Sequence, residues 1–317
     1  TYKLVRDPYP STGFPPKFHF TAYYYDYLGR MIQSVEKDPE GHIHRLSCKY
    51  DFTGNVTASV EEMAGVTKKT ECTYDERGRL KVEKTYVNGT LLSDLRYSYD
   101  IYGNITQRLE NKNGLFNNYT FDIHGRQTAH TSHRAGTHIY SDELKYNSTY
   151  SGAIGTFSGN ISAWNWRRHD NSCDTLMFLY DSSNRLIKAA TLDNGVATNR
   201  FSENNITYDR NGNILTLKRY GSGDLKQNIS NSYLGNRLSG CIYDSNGNIT
   251  YDAASGLSMQ WTPLNLIKKV SDSNGVLVNY SYLADGTKVR AVDADGEGLE
   301  YRGSLTFRRS SDGTLTP

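Results

Sequence analysis

The 317-residue chain carries 36 Lys+Arg against 34 Asp+Glu, a net charge of +2. That balance offers no basic field for phosphate backbones and no acidic face for cationic partners, so nucleic acid is not an expected partner. Tyr occurs 25 times and Gly 28 times beside only 7 Pro and 4 Met, a bias toward strands and tight turns and away from an α/β enzyme.

No run of ~18 apolar residues is present, so no membrane span is expected in this segment. Thr1-Tyr2-Lys3 shows none of the charged and apolar pattern of a signal peptide, as a fragment of a longer chain would also show none. Along the chain the first strong feature is Tyr25-Asp26-x-x-Gly29-Arg30. The pattern Y-D-x-x-G-[R/N] occurs six times without mismatch: at Tyr25, Asp26 and Gly29; Tyr50, Asp51 and Gly54; Tyr74, Asp75 and Gly78; Tyr99, Asp100 and Gly103; Tyr208, Asp209 and Gly212; and Tyr243, Asp244 and Gly247. Phe121 replaces the Tyr in a further copy, and Tyr180-Asp181 begins one in which Asn184 stands for the Gly. From Tyr25 to Phe121 the copies are spaced 25, 24, 25 and 22 residues apart, a self-similarity that sets the whole fold.

A second series of turn glycines lies between the copies, at Gly41, Gly65, Gly89, Gly114 and Gly136, each 11 or 12 residues beyond a motif glycine. Asn88-Gly89, Asn113-Gly114, Asn194-Gly195 and Asn274-Gly275 carry the dipeptide that favours two-residue hairpins. Each repeat of ~25 residues therefore holds two turns and two strands of roughly 8 residues. The predicted fold is all-β, a tandem of antiparallel β-hairpins forming a continuous curved or spiralling sheet.

After Gly54, alternation places Val56, Ala58 and Val60 on one face and Thr57, Ser59 and Glu61 on the other. The residue two before each motif Tyr shares its face, as in Tyr23/Tyr25, Cys48/Tyr50, Cys72/Tyr74 and Tyr97/Tyr99. This predicts an aromatic ladder with neighbouring rings pairing across strands. Within the turn, the Asp side chain accepts from turn N–H groups and the Gly supplies a left-handed residue. The residue after the Gly alternates through Arg30, Asn55, Arg79, Asn104 and Arg126, and the Arg is expected to bridge to the Asp of a neighbouring turn.

Residues 1–317 read as a single array cut from a longer protein. Residues 127–179 form one repeat with an insertion, holding Trp164, Trp166 and an echo of the motif at Gly159-Asn160. Residues 252–317 read as degenerate repeats, with Trp261-x3-Asn265-Leu266, Asp285-Gly286-Thr287 and Tyr301-x-Gly303 as remnants.

On these motifs the chain resembles the RHS/YD-repeat family over residues 20–307. That family includes the shells of bacterial polymorphic toxins, the C component of insecticidal Tc toxins, wall-associated proteins and the teneurin YD shell. The resemblance implies a long sheet winding into a hollow cocoon, in toxin members around a C-terminal effector. It also implies a secreted or cell-surface bacterial protein. The segments at Asp285 and Tyr301 resemble the run-up to the RHS-associated core. Toxin members end the shell with a cleavage motif of Asp-Pro-x-Gly type and a variable toxin, and neither occurs before Pro317. With so few hairpins the array is expected to form an open strip whose terminal strands expose their edges.

No Gly-x-Ser-x-Gly, P-loop or His-Glu-x-x-His pattern occurs, so no enzyme and no cofactor are expected. The repeated Asp residues read as turn caps rather than calcium ligands, which would have to converge on one point. Cys48 and Cys72 fall ~9–10 Å apart on corresponding strands, beyond disulfide reach, and four free thiols are expected. His42 and His44 share a strand face and His130, His133 and His138 lie close in sequence. No carboxylate or Cys is seen at supporting spacing, so no metal site is expected. Trp164 and Trp166 share a face, either as a plug packed on the Tyr ladder or as a platform for sugar rings.

The leading expectation is a non-catalytic structural shell segment of a large secreted or surface protein. Its partners would be an encapsulated C-terminal polypeptide or further repeats of the same chain. The alternative is a carbohydrate or cell-surface binding module that contacts glycans through Trp164 and Trp166. A glycosidase ranks third, because it needs two carboxylates ~5–10 Å apart in a cleft rather than one per repeat.

Overall fold

A computed structural model describes residues 2–8, 18–147, 155–170 and 172–317. These form thirty strands, with no helix among the described residues. Strands pair antiparallel with their sequence neighbours: Ile43–Tyr50 with Val56–Met63, and Val56–Met63 with Val66–Tyr74. The all-β tandem of hairpins read from the repeat is the architecture found. The chain divides into two compact units, Thr1–Asp94 with Gly240–Pro317, and Leu95–Ser239.

At Gly65, Gly89 and Gly136 the second turn series differs from the motif turns in backbone geometry, whereas the residues before Gly41 and Gly114 have no positive φ. Asn88 and Gly89 have φ of 49° and 79°, and Ala64 and Gly65 have 48° and 75°. Two successive positive φ values make the type I′ turn, whose twist matches that of the flanking strands. The motif turns instead use one left-handed residue, such as Gly54 at 96° or Asn184 at 62°.

A β-bulge follows the motif turn. Lys49 pairs with Ala58, but Tyr50 pairs with Val56, skipping Thr57. The same skip pairs Tyr25 with Met31, Tyr74 with Leu80, Phe121 with Gln127, Tyr180 with Leu186 and Tyr208 with Ile214. One extra residue shifts the side-chain alternation of the outgoing strand. Val56 through Glu61 are all half-buried, so burial does not separate the two faces read from that strand.

Residues 127–179 contain the strands Gln127–Arg134, Thr137–Lys145, Ala163–Arg168 and Cys173–Tyr180, paired in that order. Residues 148–154 of the anticipated insertion lie outside the described residues. In the C-terminal stretch the bulge outlasts the motif letters, since Trp261 still pairs with Ile267 and Tyr282 with Lys288.

Each unit has a small apolar core. In Leu95–Ser239 it is Ala163, Met177, Ala190 and Leu192. In the other unit Phe307 and Leu305 meet Met63 and Val66, with Val87 and Leu315 alongside. Phe307 is 1% exposed, and burying such a ring contributes roughly 2–3 kcal/mol over leaving it in water.

Candidate functional site

The repeated polar residues build a brace along the motif turns. Asp26 Oδ1 accepts the N–H groups of Leu28 and Arg30, both at 2.9 Å. The residue after the Gly takes the second oxygen, as Arg30 Nε at 2.7 Å from Asp26 Oδ2 or Asn55 Nδ2 at 3.0 Å from Asp51 Oδ2. Arg and Asn thus alternate at a position with one shared task, closing the carboxylate of their own turn. Arg also reaches onward. Arg30 Nη1 donates to the Asp51 carbonyl at 3.0 Å, and Arg185 Nη1 to the Asp209 carbonyl at 3.1 Å. The expected bridge to a neighbouring Asp is therefore made to its backbone, because its carboxylate is already engaged within its own turn, at Asp51 by the Asn55 N–H, the Asn55 side-chain amide and the Thr53 hydroxyl.

The motif rings join this brace, as does Tyr146, which lies 25 residues after Phe121 where the next motif ring would fall. The Arg30 guanidinium carbon lies 4.9 Å from the Tyr50 ring centroid, that of Arg126 4.3 Å from Tyr146, and that of Arg185 4.5 Å from Tyr208. Each hydroxyl donates to a bulge carbonyl of the preceding repeat: Tyr50 to Met31 at 2.6 Å, Tyr74 to Val56 at 2.8 Å, Tyr146 to Gln127 at 2.8 Å and Tyr208 to Leu186 at 2.6 Å. The bulge turns a carbonyl out of the ladder and the next Tyr satisfies it. The aromatic series therefore links at these rings through guanidinium and backbone, not ring on ring as the side-chain pattern predicted.

Hydrogen bonding sets the charge state of the turns. The Thr53 hydroxyl, opposed by partial burial and reinforced by the Asn55 side chain and turn N–H groups, holds the Asp51 carboxyl down to about 2. At Asp26 burial pushes upward, but the Arg30 N–H, its guanidinium and the Leu28 N–H outweigh it and lower the carboxyl. Burial raises the Cys48 and Cys72 thiols. The four cysteines are free.

A second polar site lies in the unit formed by Thr1–Asp94 and Gly240–Pro317. Asp38-Pro39-Glu40-Gly41-His42 copies the motif turn: Asp38 Oδ1 accepts from the Glu40 and His42 N–H groups at 2.9 Å, and Asp38 Oδ2 lies 2.8 Å from His42 Nδ1. His42 thus belongs to a turn and does not share a strand face with His44, which is 3% exposed and 3.6 Å from Glu36. The ligand atoms of Asp38, Glu40 and His42 all lie within 4.8 Å of one another, so carboxylates do stand near His42, contrary to the reading of the spacing. Guanidinium groups neutralise them, with Arg302 3.5 Å from Asp38, and Arg290 and Arg309 2.9 and 2.8 Å from Glu40. A cation would have to displace those contacts. Glu300, 0% exposed, holds Arg290 at 2.7 Å and Arg302 at 2.5 Å. The result is an ionic clasp between the first hairpins and the C-terminal ones, capped by Glu61 and Lys68 on the Ser304 hydroxyl, each at 2.5 Å.

Trp164 and Trp166 lie half-buried with ring centroids 4.6 Å apart, and Trp164 Nε1 donates to Asp142 at 3.1 Å. Asp142 also meets His130 Nδ1 at 3.2 Å, and that imidazole stacks on Tyr119 at 4.8 Å. The His133 and His138 rings meet edge-on at 5.7 Å. The Trp pair is thus one side of a packed cross-strand cluster.

Fold and site together define a repetitive β-hairpin array whose recurrent polar side chains brace one turn against the next. No protein-family model and no curated protein matches the chain. Among solved structures it is similar to the TcdB2-TccC3-Cdc42 complex, with 13% identity and a TM-score of 0.37 over 98% of this chain and 24% of that chain. It is similar to TcdB2-TccC3 at 12% identity and a TM-score of 0.34, over 99% of this chain and 22% of that one. A porin-like protein from Bacteroides uniformis ATCC 8492 follows at 10% identity and a TM-score of 0.25, over 72% and 93%. The chain spans about a quarter of the length of the first two.

Proposed function

We propose that the chain is a non-catalytic wall segment of a secreted or cell-surface bacterial shell, enclosing or presenting a polypeptide carried by the same protein. The observation that supports this is where the recurrent functional groups go. Motif Asp, Arg, Asn and Tyr side chains are bound to one another and to backbone, which stiffens a sheet and leaves them poorly placed to act on a substrate. The motif resemblance to RHS/YD-repeat shells agrees with that reading. A wall of this kind excludes proteases by hydrogen-bonded sheet rather than by specific chemistry.

Digestion of the natural protein that carries this segment tests the proposal. A shell retains a polypeptide that survives a broad-specificity protease and is released only on denaturation. A preparation that retains no protected polypeptide overturns enclosure. Glycan-array binding lost in the Trp164→Ala, Trp166→Ala double variant would move the assignment to a sugar-binding module.

A further inference from the structure

The C-terminal hairpins keep the motif backbone but lose its charges. Thr262 stands at the Asp position after Trp261, and its Oγ1 accepts from the Leu264 and Leu266 N–H groups at 3.3 and 3.2 Å. Leu266 occupies the Arg/Asn position. In the next copy Leu283 replaces the Asp, yet the Leu283 N–H still donates to the Thr287 carbonyl at 2.9 Å. Between these two turns lies a cleft of about 510 Å³, lined among others by Trp261, Leu264, Lys268, Tyr280, Tyr282 and Leu283. That is a volume suited to a small organic ligand.

The corresponding clefts between ordinary turns hold both signs of charge, as with Asp122, Glu143, Arg126 and Lys145, or Asp51, Asp75 and Arg77. In the C-terminal cleft Lys268 is the one ionised lining group, and it makes no ion pair among the described residues. Trp261 Nε1 and the Tyr282 hydroxyl donate to the Ile249 and Ile267 carbonyls, both at 2.8 Å, so these two residues have no donor left for a ligand. Lys288 Nζ lies 5.4 Å from the Tyr280 centroid and 5.2 Å from that of Tyr301, outside the lining. The exposed Asp285 accepts the Thr287 N–H at 2.8 Å and lies outside the lining.

We propose that this cleft binds a small aromatic carboxylate, its ring against Trp261 and the Tyr280–Tyr282 pair, whose centroids lie 6.4 Å apart, and its anionic end on Lys268. A cation is disfavoured by Lys268. The Thr262 hydroxyl oxygen already accepts two N–H groups, which leaves Lys268, Ser281 and Tyr280 as the lining side chains with polar groups for a ligand. The site departs from the wall's self-bracing chemistry because the internal Asp and Arg that close the other turns are absent here.

Titration of the isotopically labelled chain with indole-3-acetate, followed by amide chemical shifts, tests this. Saturable shifts are expected at Leu264, Leu283 and Ala284. The neutral analogue indole-3-acetamide should bind about tenfold more weakly, ~1.4 kcal/mol. Lys268→Gln should reduce acetate affinity about tenfold and leave acetamide affinity unchanged. Equal binding of acid and amide, unchanged acetate affinity in Lys268→Gln, or no localised saturation in the low-millimolar range would each overturn the proposal. The acid–amide comparison uses the unaltered chain, so it decides even if the variant misfolds.

Discussion

The Tyr50 hydroxyl donates a 2.6 Å hydrogen bond to the carbonyl of Met31, on the preceding repeat. Met31 is the residue that the bulge places opposite Tyr25. One repeat's irregularity is thus the next repeat's anchor, and the motif Tyr acts between hairpins as well as within one.

Tyr50→Phe removes that bond and leaves the carbonyl short of a donor, at a cost of about 1 kcal/mol. Tyr50→Leu also loses the contact with Arg30, for a further ~0.5–1 kcal/mol. Chemical denaturation of both variants measures the difference. Tyr27→Phe, at a ring 92% exposed, is the control and should change little. A Phe variant as stable as the parent would show that water replaces the hydroxyl at no cost.

How much of this was legible in the sequence depends on how local each feature is. The Asp–Gly turns and the Asn88-Gly89 and Asn194-Gly195 hairpins are written in nearby residues, whereas Asn113-Gly114 closes a four-residue loop and the turn before Gly275 falls on Ser273 and Asn274. The bulge is a matter of register, and nothing in Val56-Thr57-Ala58 signals which residue is skipped. The role of the Tyr hydroxyl depends on that register and was equally hidden. The clasp joins Asp38 to Arg302 across 264 residues, and its first half looked like one more turn. The Trp261–Tyr282 cleft was half legible, since the loss of Asp from the degenerate motif could be read, but not the space left behind.

Gly54 has φ of 96°, and a Cβ there would meet nothing within 4 Å. Gly54→Ala therefore tests backbone strain without a clash, with an expected cost of about 1–2 kcal/mol. Gly54→Asn should cost less, since Asn184 holds the equivalent place at φ 62° in the native chain. Thermal unfolding of the two variants should rank Asn above Ala, and the reverse order would mean that the turn relaxes to negative φ.

Asp51 gives a pH dependence with a defined sign. Its carboxyl is held at about 2 in the folded chain, below its ordinary unfolded value of about 3.9. Its stabilising effect is therefore fully present above about pH 4 and is lost as the pH falls toward 2. Asp26, Asp75 and Asp181 are shifted in the same direction. Stability measured by urea denaturation should fall through this window, and Asp51→Asn should make the fall shallower while lowering stability at neutral pH. An acid profile identical in the variant would mean that the unfolded state carries the same shift.

The clasp predicts the largest single effect. Arg302→Met leaves Glu300, 0% exposed, and Asp38, 3% exposed, without the guanidinium they share. Breaking a buried pair from one side costs about 3–5 kcal/mol. The Lys226–Asp224 pair, 3.9 Å apart with side chains 61% and 84% exposed, supplies the contrast, since Lys226→Met should cost under ~0.5 kcal/mol. Hydrogen exchange should locate the damage, with amides of Gly298–Arg302 and Leu305–Arg309 losing protection in Arg302→Met before those of Val66–Tyr74. That order follows because the C-terminal hairpin is held to the first hairpins by the clasp and by the Phe307–Met63 contact, and its ladders are shorter, with three, five and two residue pairs against six and seven on the two sides of Val66–Tyr74. Uniform loss of protection across the unit would instead show that clasp and early hairpins unfold as one cooperative body.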